Sequence, residues 1–166
     1  TAGRGRLGRQ WHSQAATGGA ADTQAGGGPD LPALTFSVGL PLAPRDWSGL
    51  SLAVGLALAQ ALDPVGERIS LKWPNDLWVQ GRKLAGILVE TASAALGPAS
   101  PTPARYCVMG VGINLKAPAA TDNPIAPIGL LELDPQWTPA SVLQRLAQPL
   151  VDAVLAFERQ GFAPFQ

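Results

Sequence analysis

Residues 68–90 read RISLKWPNDLWVQGRKLAGILVE, and this stretch decides the fold. Ile69 and Leu71 alternate with polar neighbours, the period of a strand with one buried face, so residues 68–73 are predicted to be extended. Pro74 breaks the run, since it cannot donate to a strand ladder. Residues 77–79 and 83–90 are apolar again. The spacer Gln80-Gly81-Arg82 predicts an antiparallel hairpin between them. Working outward, residues 34–43 (LTFSVGLPLA) form a short apolar run near prolines and predict a buried strand, and residues 106–115 (YCVMGVGINL) predict another. Leu50, Val54, Leu58 and Leu62 recur at helical spacing. Asp46 is the expected N-cap of that helix, and Pro64 and Gly66 should end it. Its nearly uniform apolarity predicts burial. A last helix should start at Thr138 with Pro139 in its first turn. It carries a stripe of Leu143, Leu146, Leu150, Val154 and Phe157, should kink at Pro149, and should stop at Gly161. Strands outnumber helices and the hairpin is antiparallel, so the fold class is α+β.

Composition bounds what such a fold could do. The chain has 166 residues, enough for one domain with a real core. Charged residues are 14%, against an ordinary value of about a quarter. Glycine and proline, 19 and 16 residues, fill the difference and predict long irregular loops at 14–33, 91–104 and 116–137. The first of these, almost without large apolar side chains, is expected to be a flexible loop insertion. The formal net charge is zero, which gives no global attraction to nucleic acid or anionic membrane. Charge is nevertheless concentrated: Arg4, Arg6 and Arg9 precede the first acid, Asp22, and suit a small anionic ligand. Cys107 is the single cysteine and sits in an apolar run. It reads as buried filler in a reducing compartment, and a cytoplasmic location is expected. No stretch is long or apolar enough to span a membrane as a helix.

Three segments carry chemistry. In the first, GRGRLGRQW at 3–11, glycines permit close backbone approach, arginines offer planar forks for phosphate or carboxylate, and Trp11 offers a flat ring. A disordered basic tail would have the same composition. Neither a Walker loop nor a dinucleotide fingerprint is present. The second is the KWPND…RKLAG stretch itself. Lys72 lies in an otherwise apolar strand and must snorkel outward or meet an anion. Asn75 and Asp76 lie at the break made by Pro74, where Asp76 could hold Mg²⁺ beside a phosphate. Lys83 opens a strand and can point at a ligand's charge, and Gly86 leaves room for a ligand to press on it. An ordinary hairpin with solvated lysines explains any one of these residues alone. The third is GVGIN at 110–114, where two glycines weaken a core strand unless the gap is used, and Asn114 can both donate and accept. Close packing of a helix is the competing explanation. His12, the sole histidine, lends no support to a metal cluster or a Ser-His-Asp site.

The loop GRGRLGRQW, the pair KWPND and RKLAGILVE, and GVGIN stand in the order and spacing of the biotin–protein ligases, and the chain resembles the catalytic domain of that family. The resemblance runs from Thr1 to about Leu115 and weakly on to GFAPF. It implies a mixed, mainly antiparallel sheet flanked by helices, related to the class II aminoacyl-tRNA synthetases. It also implies that residues 1–166 are part of a catalytic domain, with an upstream biotin-binding segment and a small C-terminal β-domain outside them. The implied reaction joins biotin to a lysine of a biotin carboxyl carrier protein, such as that of acetyl-CoA carboxylase. ATP and Mg²⁺ are used, and biotinyl-5′-adenylate is the intermediate. Carried over residue by residue, Lys83, Arg6 and Arg4 are catalytic. Gly3, Arg4, Lys83, Gly86 and Gly112 bind biotin. Arg6, Arg9, Trp11, Lys72, Asn75 and Asn114 bind ATP or the adenylate, and Asp76 takes the metal. The resemblance leaves a homodimer open, and DNA would be a partner only through a further N-terminal domain. A lipoate–protein ligase is the nearest alternative, although the ligand loop GRGRLGRQW at 3–11 lacks the GGG of that branch. An RNA-binding module built on the RGR segment is a second, and it leaves KWPND and GVGIN unexplained.

Overall fold

A computed structural model of the protein describes residues 31–93, 104–118 and 126–166, together with the backbones of Gly3–Arg4 and Gln10–Trp11. Those two short stretches, β1 and β2, pair antiparallel, Gly3 opposite Trp11 and Arg4 opposite Gln10. The main sheet has five strands: β3 (Ala33–Leu42), β4 (Ile69–Lys72), β5 (Asp76–Val79), β6 (Arg82–Ser93) and β7 (Arg105–Asn114). Their order is β3-β7-β6-β5-β4, and every neighbouring pair is antiparallel. The helices α1 (Leu50–Leu62) and α2 (Pro139–Gln160) pack on each other. The α+β expectation holds. Among the described residues no helix is long and apolar enough to cross a membrane.

The sheet has one face against the helices and, among the described residues, one open face that no helix covers. On the covered face Leu77, Val79, Leu84, Ala85, Ile87, Cys107, Met109, Val111 and Ile113 are all buried and belong to one core with Leu50, Val54, Leu58, Leu146, Leu150 and Phe157. Helix α1 is apolar nearly all round because the sheet and α2 both press on it. Its carboxyl end is closed from two sides. Asp63 accepts the N–H groups of Arg68 and Ile69 at 2.7 and 2.9 Å, and the Arg145 Nε of α2 donates to the carbonyl of Ala61 at 2.9 Å. Hydrogen bonding to the carboxylate, Ile69 N–H first, holds the Asp63 carboxyl below its ordinary value.

Several expectations need correction. Residues 34–43 are not a buried strand: β3 is a sheet edge, its side chains are mostly half-buried, and Leu42 alone is buried. Asp46 does not cap α1. Its carboxylate accepts the Ser48 N–H at 2.9 Å in a local turn, and Gly49, at φ 90°, is the N-cap. The hairpin turn is the two-residue Gln80-Gly81, with φ of 48° and 74°, rather than three residues, and Arg82 pairs with Val79. Both positive φ values fit the tight primed turn that matches strand twist. Strand β6 runs on to Ser93, into the expected loop at 91–104. The expected insertion at 14–33 lies outside the described residues as far as 30, and its end, Ala33, already begins β3. Thr138 caps α2 as expected, its side chain accepting the Ser141 N–H at 3.1 Å. The helix continues through Pro149 to Gly161, its C-cap. Its buried stripe uses Val142 in place of Leu143, which is 41% exposed. Either residue satisfies helical spacing with Leu146, so only packing decides between them.

Candidate functional site

The open face of the sheet gathers most of the candidate residues that are described. Cross-strand partners share a face, and the register sets Asp76 of β5 beside Gly86 of β6, Gly86 beside Gly112 of β7, and Gly112 beside Thr35 of β3. A row with two adjacent glycines therefore crosses the middle of the sheet, and no side chain rises from either. Gly110, two residues from Gly112, lies on the same face and would accept a Cβ in ordinary contact. A Cβ there would meet nothing nearer than 3.7 Å.

Lys83 reaches this face by a defect in the ladder. Strict alternation along β6 would put Lys83 with Ala85 and Ile87, against the helices. The register slips between Leu77 and Trp78: Leu77 pairs with Ala85, Trp78 pairs with Lys83, and Leu84 has no opposite number. This bulge lets Leu84 and Ala85 both enter the core, each 0% exposed, and turns Lys83 to the open face. There its ammonium lies 2.7 Å from Asp76 Oδ1, with the two side chains 34% and 23% exposed. Lys72, opposite Asp76, lies on the same face. Its Nζ stands 3.6 Å from the centre of the Trp78 ring, a cation–π contact in place of an anion.

The two asparagines hold backbone. Asn75 Nδ2 donates to the Ile87 carbonyl at 2.6 Å, and the Asn75 carbonyl accepts the Ile87 N–H at 2.9 Å. This exchange ties the Pro74 turn, with its cis Trp73–Pro74 peptide, to the middle of β6. Asn114 is buried and donates from Nδ2 to the Lys83 carbonyl at 3.2 Å. Beyond the turn a cleft of about 370 Å³ opens, lined by Ser51, Trp73, Pro74, Leu88 and Val89 among others.

Of the residues singled out in the sequence, the structure brings together Lys72, Asp76, Lys83, Gly86 and Gly112 on one face, with Asn75 and Asn114 fixing the strands beneath. Gly3, Arg4 and Trp11 are described only as backbone in the β1–β2 pair. Arg6 and Arg9 lie outside the described residues. Among the described residues no three His, Cys, Asp or Glu side chains gather as a metal site. Asp76 thus offers one carboxylate, which suits an ion that arrives already bound to phosphates. Sequence reasoning missed Trp78, Arg82 and Glu132. The signal for the bulge was present, however: Leu84-Ala85 places two core-type residues in succession between Lys83 and Gly86.

Comparison with known proteins gives a consistent picture. The biotin/lipoate A/B protein ligase family model matches residues 28–114. The bifunctional ligase/repressor BirA of Escherichia coli is 34% identical over 167 residues, covering 99% of this chain and 46% of that protein. The biotin–[acetyl-CoA-carboxylase] ligase of Paracoccus denitrificans is 32% identical over 177 residues, covering 99% of this chain and 64% of that protein. Among solved structures, the biotin protein ligase of Aquifex aeolicus in complex with biotin and ATP superimposes with a TM-score of 0.66 at 28% identity, over 98% of this chain and 60% of that one. The chain spans about half the length of the BirA proteins it matches.

Proposed function

The chain belongs to the biotin/lipoate A/B protein ligase family, and we propose that its protein is a biotin–protein ligase, which activates biotin with ATP and transfers it to a carrier lysine. In the first step a biotin carboxylate oxygen attacks the α-phosphorus of ATP and pyrophosphate leaves. In the second, the ε-amine of a lysine on a biotin carboxyl carrier domain attacks the acyl carbon of biotinyl-5′-adenylate. AMP departs with the bonding pair and the amine loses a proton.

One observation carries this reading: an ammonium turned onto the open sheet face by a bulge, beside a floor of paired glycines. A flat bicyclic ligand can lie against Gly86 and Gly112, because neither presents a side chain. Lys83 then meets the carboxylate end and the α-phosphate oxygens, where negative charge grows in the transition state. Lys72 adds positive charge on the same face. Asp76, whose Oδ1 meets Lys83, would hold phosphate-bound magnesium through its other carboxylate oxygen, and the ion would neutralise phosphate charge. The loop carrying Gly3, Arg4, Arg6, Arg9 and Trp11 is assigned by resemblance to cover the adenylate and keep water from it. Asn75 and Asn114 belong to the nucleotide side, where they also keep the strands in place.

The test is ATP–pyrophosphate exchange by the full-length protein. Biotin should drive exchange and lipoate should not; exchange driven by lipoate alone would move the protein to the sister branch of the family. Lys83→Ala should slow biotin-driven exchange by well over tenfold, each factor of ten being about 1.4 kcal/mol of barrier. A rate within a factor of about two of wild type would remove Lys83 from the site.

A further inference from the structure

The residue beside Lys83 leads away from the open face and into a compact cluster that the proposed chemistry does not use. Arg82 pairs with Val79, so its side chain leaves the sheet on the opposite side. There its guanidinium is held three times. Nη1 meets Glu132 Oε2 at 2.8 Å, and Nη2 donates to Glu132 Oε1 at 3.3 Å and to the Pro127 carbonyl at 2.7 Å. Glu132 Oε1 also accepts the Gly129 N–H at 2.9 Å. Residues 127–132 thus curl around one guanidinium. The same segment returns to the bulge, because the Ile128 N–H donates to the Lys83 carbonyl at 3.0 Å. Strand β7 has already ended at Asn114, so Ile128 N–H and Asn114 Nδ2 take over the ladder at the residue where β6 must stay bulged.

We infer that Arg82 and Glu132 are positioning residues, a clamp that fixes the backbone of Lys83 and so aims its ammonium across the open face. The inference rests on the functional reading above. As an ion pair the clamp contributes little to stability, since its side chains are 34% and 42% exposed and such pairs give about 0–1 kcal/mol. Its effect is geometric. A bidentate fork fixes direction as well as distance, and a reacting group misplaced by about 1 Å can lose up to roughly a hundredfold in rate. Lysine at position 82 would keep the charge and lose the fork.

The experiment uses the full-length protein and the variants Arg82→Ala, Arg82→Lys, Glu132→Ala and the double alanine, with two readouts. The first is biotin-driven pyrophosphate exchange per folded molecule, the folded fraction being taken from circular dichroism. The second is the rate of reductive methylation of Lys83, followed by peptide mass spectrometry. Each alanine variant should slow exchange by on the order of tenfold or more. The double variant should be no slower than the worse single one, because the two residues act as a unit. Lys83 should methylate faster in each as its contact with Asp76 loosens. Arg82→Lys should move both readouts the same way by less, and it decides the matter if the alanine variants do not fold. Unchanged methylation of Lys83, or unchanged exchange per folded molecule, overturns the clamp. If wild type shows no biotin-driven exchange the functional reading fails, while the methylation rates still decide whether Arg82 and Glu132 aim Lys83.

Discussion

Asp63 shows how one side chain can join two elements. It is 4% exposed, ends α1 and receives two N–H groups at the start of β4, one of them from the buried Ile69. Asp63→Ala would leave those donors without a partner and should lower unfolding free energy by about 1–3 kcal/mol. The sign of its pH dependence follows from its depressed pKa. The contribution is fully present above the unfolded-state value of about 4, and is lost as pH falls through the lower folded-state value. Urea titrations of wild type and Asp63→Asn should therefore differ by a constant amount from neutral pH down to about 5, and the gap should close below about 4. A gap independent of pH down to the acid limit would show that the charge of Asp63 does not matter. At this scale the sequence was only partly legible. Asp46 and Asp63 are both carboxylates at helix ends, and only Asp63 reaches another element. Which does so depends on where the chain goes next: three residues inside a turn for Asp46, a return to the sheet for Asp63.

At the scale of elements, most strands and helix ends could be read from periodicity and turn chemistry, and the misreading of strand position has a long-range cause. Sheet order is set by long-range pairing, which a local window does not contain. The apolar run at 34–43 reads as central and lies at the edge. The bulge at Leu84 depends on where β5 ends relative to β6, and with it the direction of Lys83. The 126–132 segment is a stronger case, since proline and glycine there suggested a featureless loop. Gly129 is instead pressed between chain segments: a Cβ would stand 2.6 Å from the Leu115 oxygen, the Lys116 carbonyl carbon and the Ala117 nitrogen. All three are backbone atoms and cannot rotate aside. Gly129→Ala should force the segment off the end of β7, strain the Leu131 N–H to Leu115 carbonyl bond, and destabilise by about 1–3 kcal/mol. An unchanged urea midpoint would mean that the segment yields freely, which would also weaken the case for a clamp at Arg82.

For the molecule as a whole, the layered arrangement places a fixed core behind one sheet face and leaves the other face for the proposed chemistry. Cys107 tests that division. It lies on the core face of β7, opposite Leu40 on one side and Thr91 on the other, and is 0% exposed. Burial raises its thiol above the ordinary range, so both access and thiolate fraction oppose modification in the native state. β7 is inside the sheet, with β3 and β6 hydrogen-bonded along its two edges, so reaching the sulfur requires those ladders to part. Opening of that kind approaches global unfolding, and a stability of about 5 kcal/mol or more implies protection by roughly a thousandfold or greater. Cys107 is the single cysteine of residues 1–166, and peptide mass spectrometry assigns the modification to it. Modification by an aromatic disulfide reagent should be slow in native buffer, and should accelerate through the same urea range in which circular dichroism is lost. Substrates bound on the open face should slow it further, by mass action on the folded state, although they never touch the sulfur. Rapid modification in native buffer, within about tenfold of the urea-denatured rate, would mean that β7 detaches without the rest of the core. The glycine floor and the bulge would then lack the rigid backing that the proposed chemistry requires.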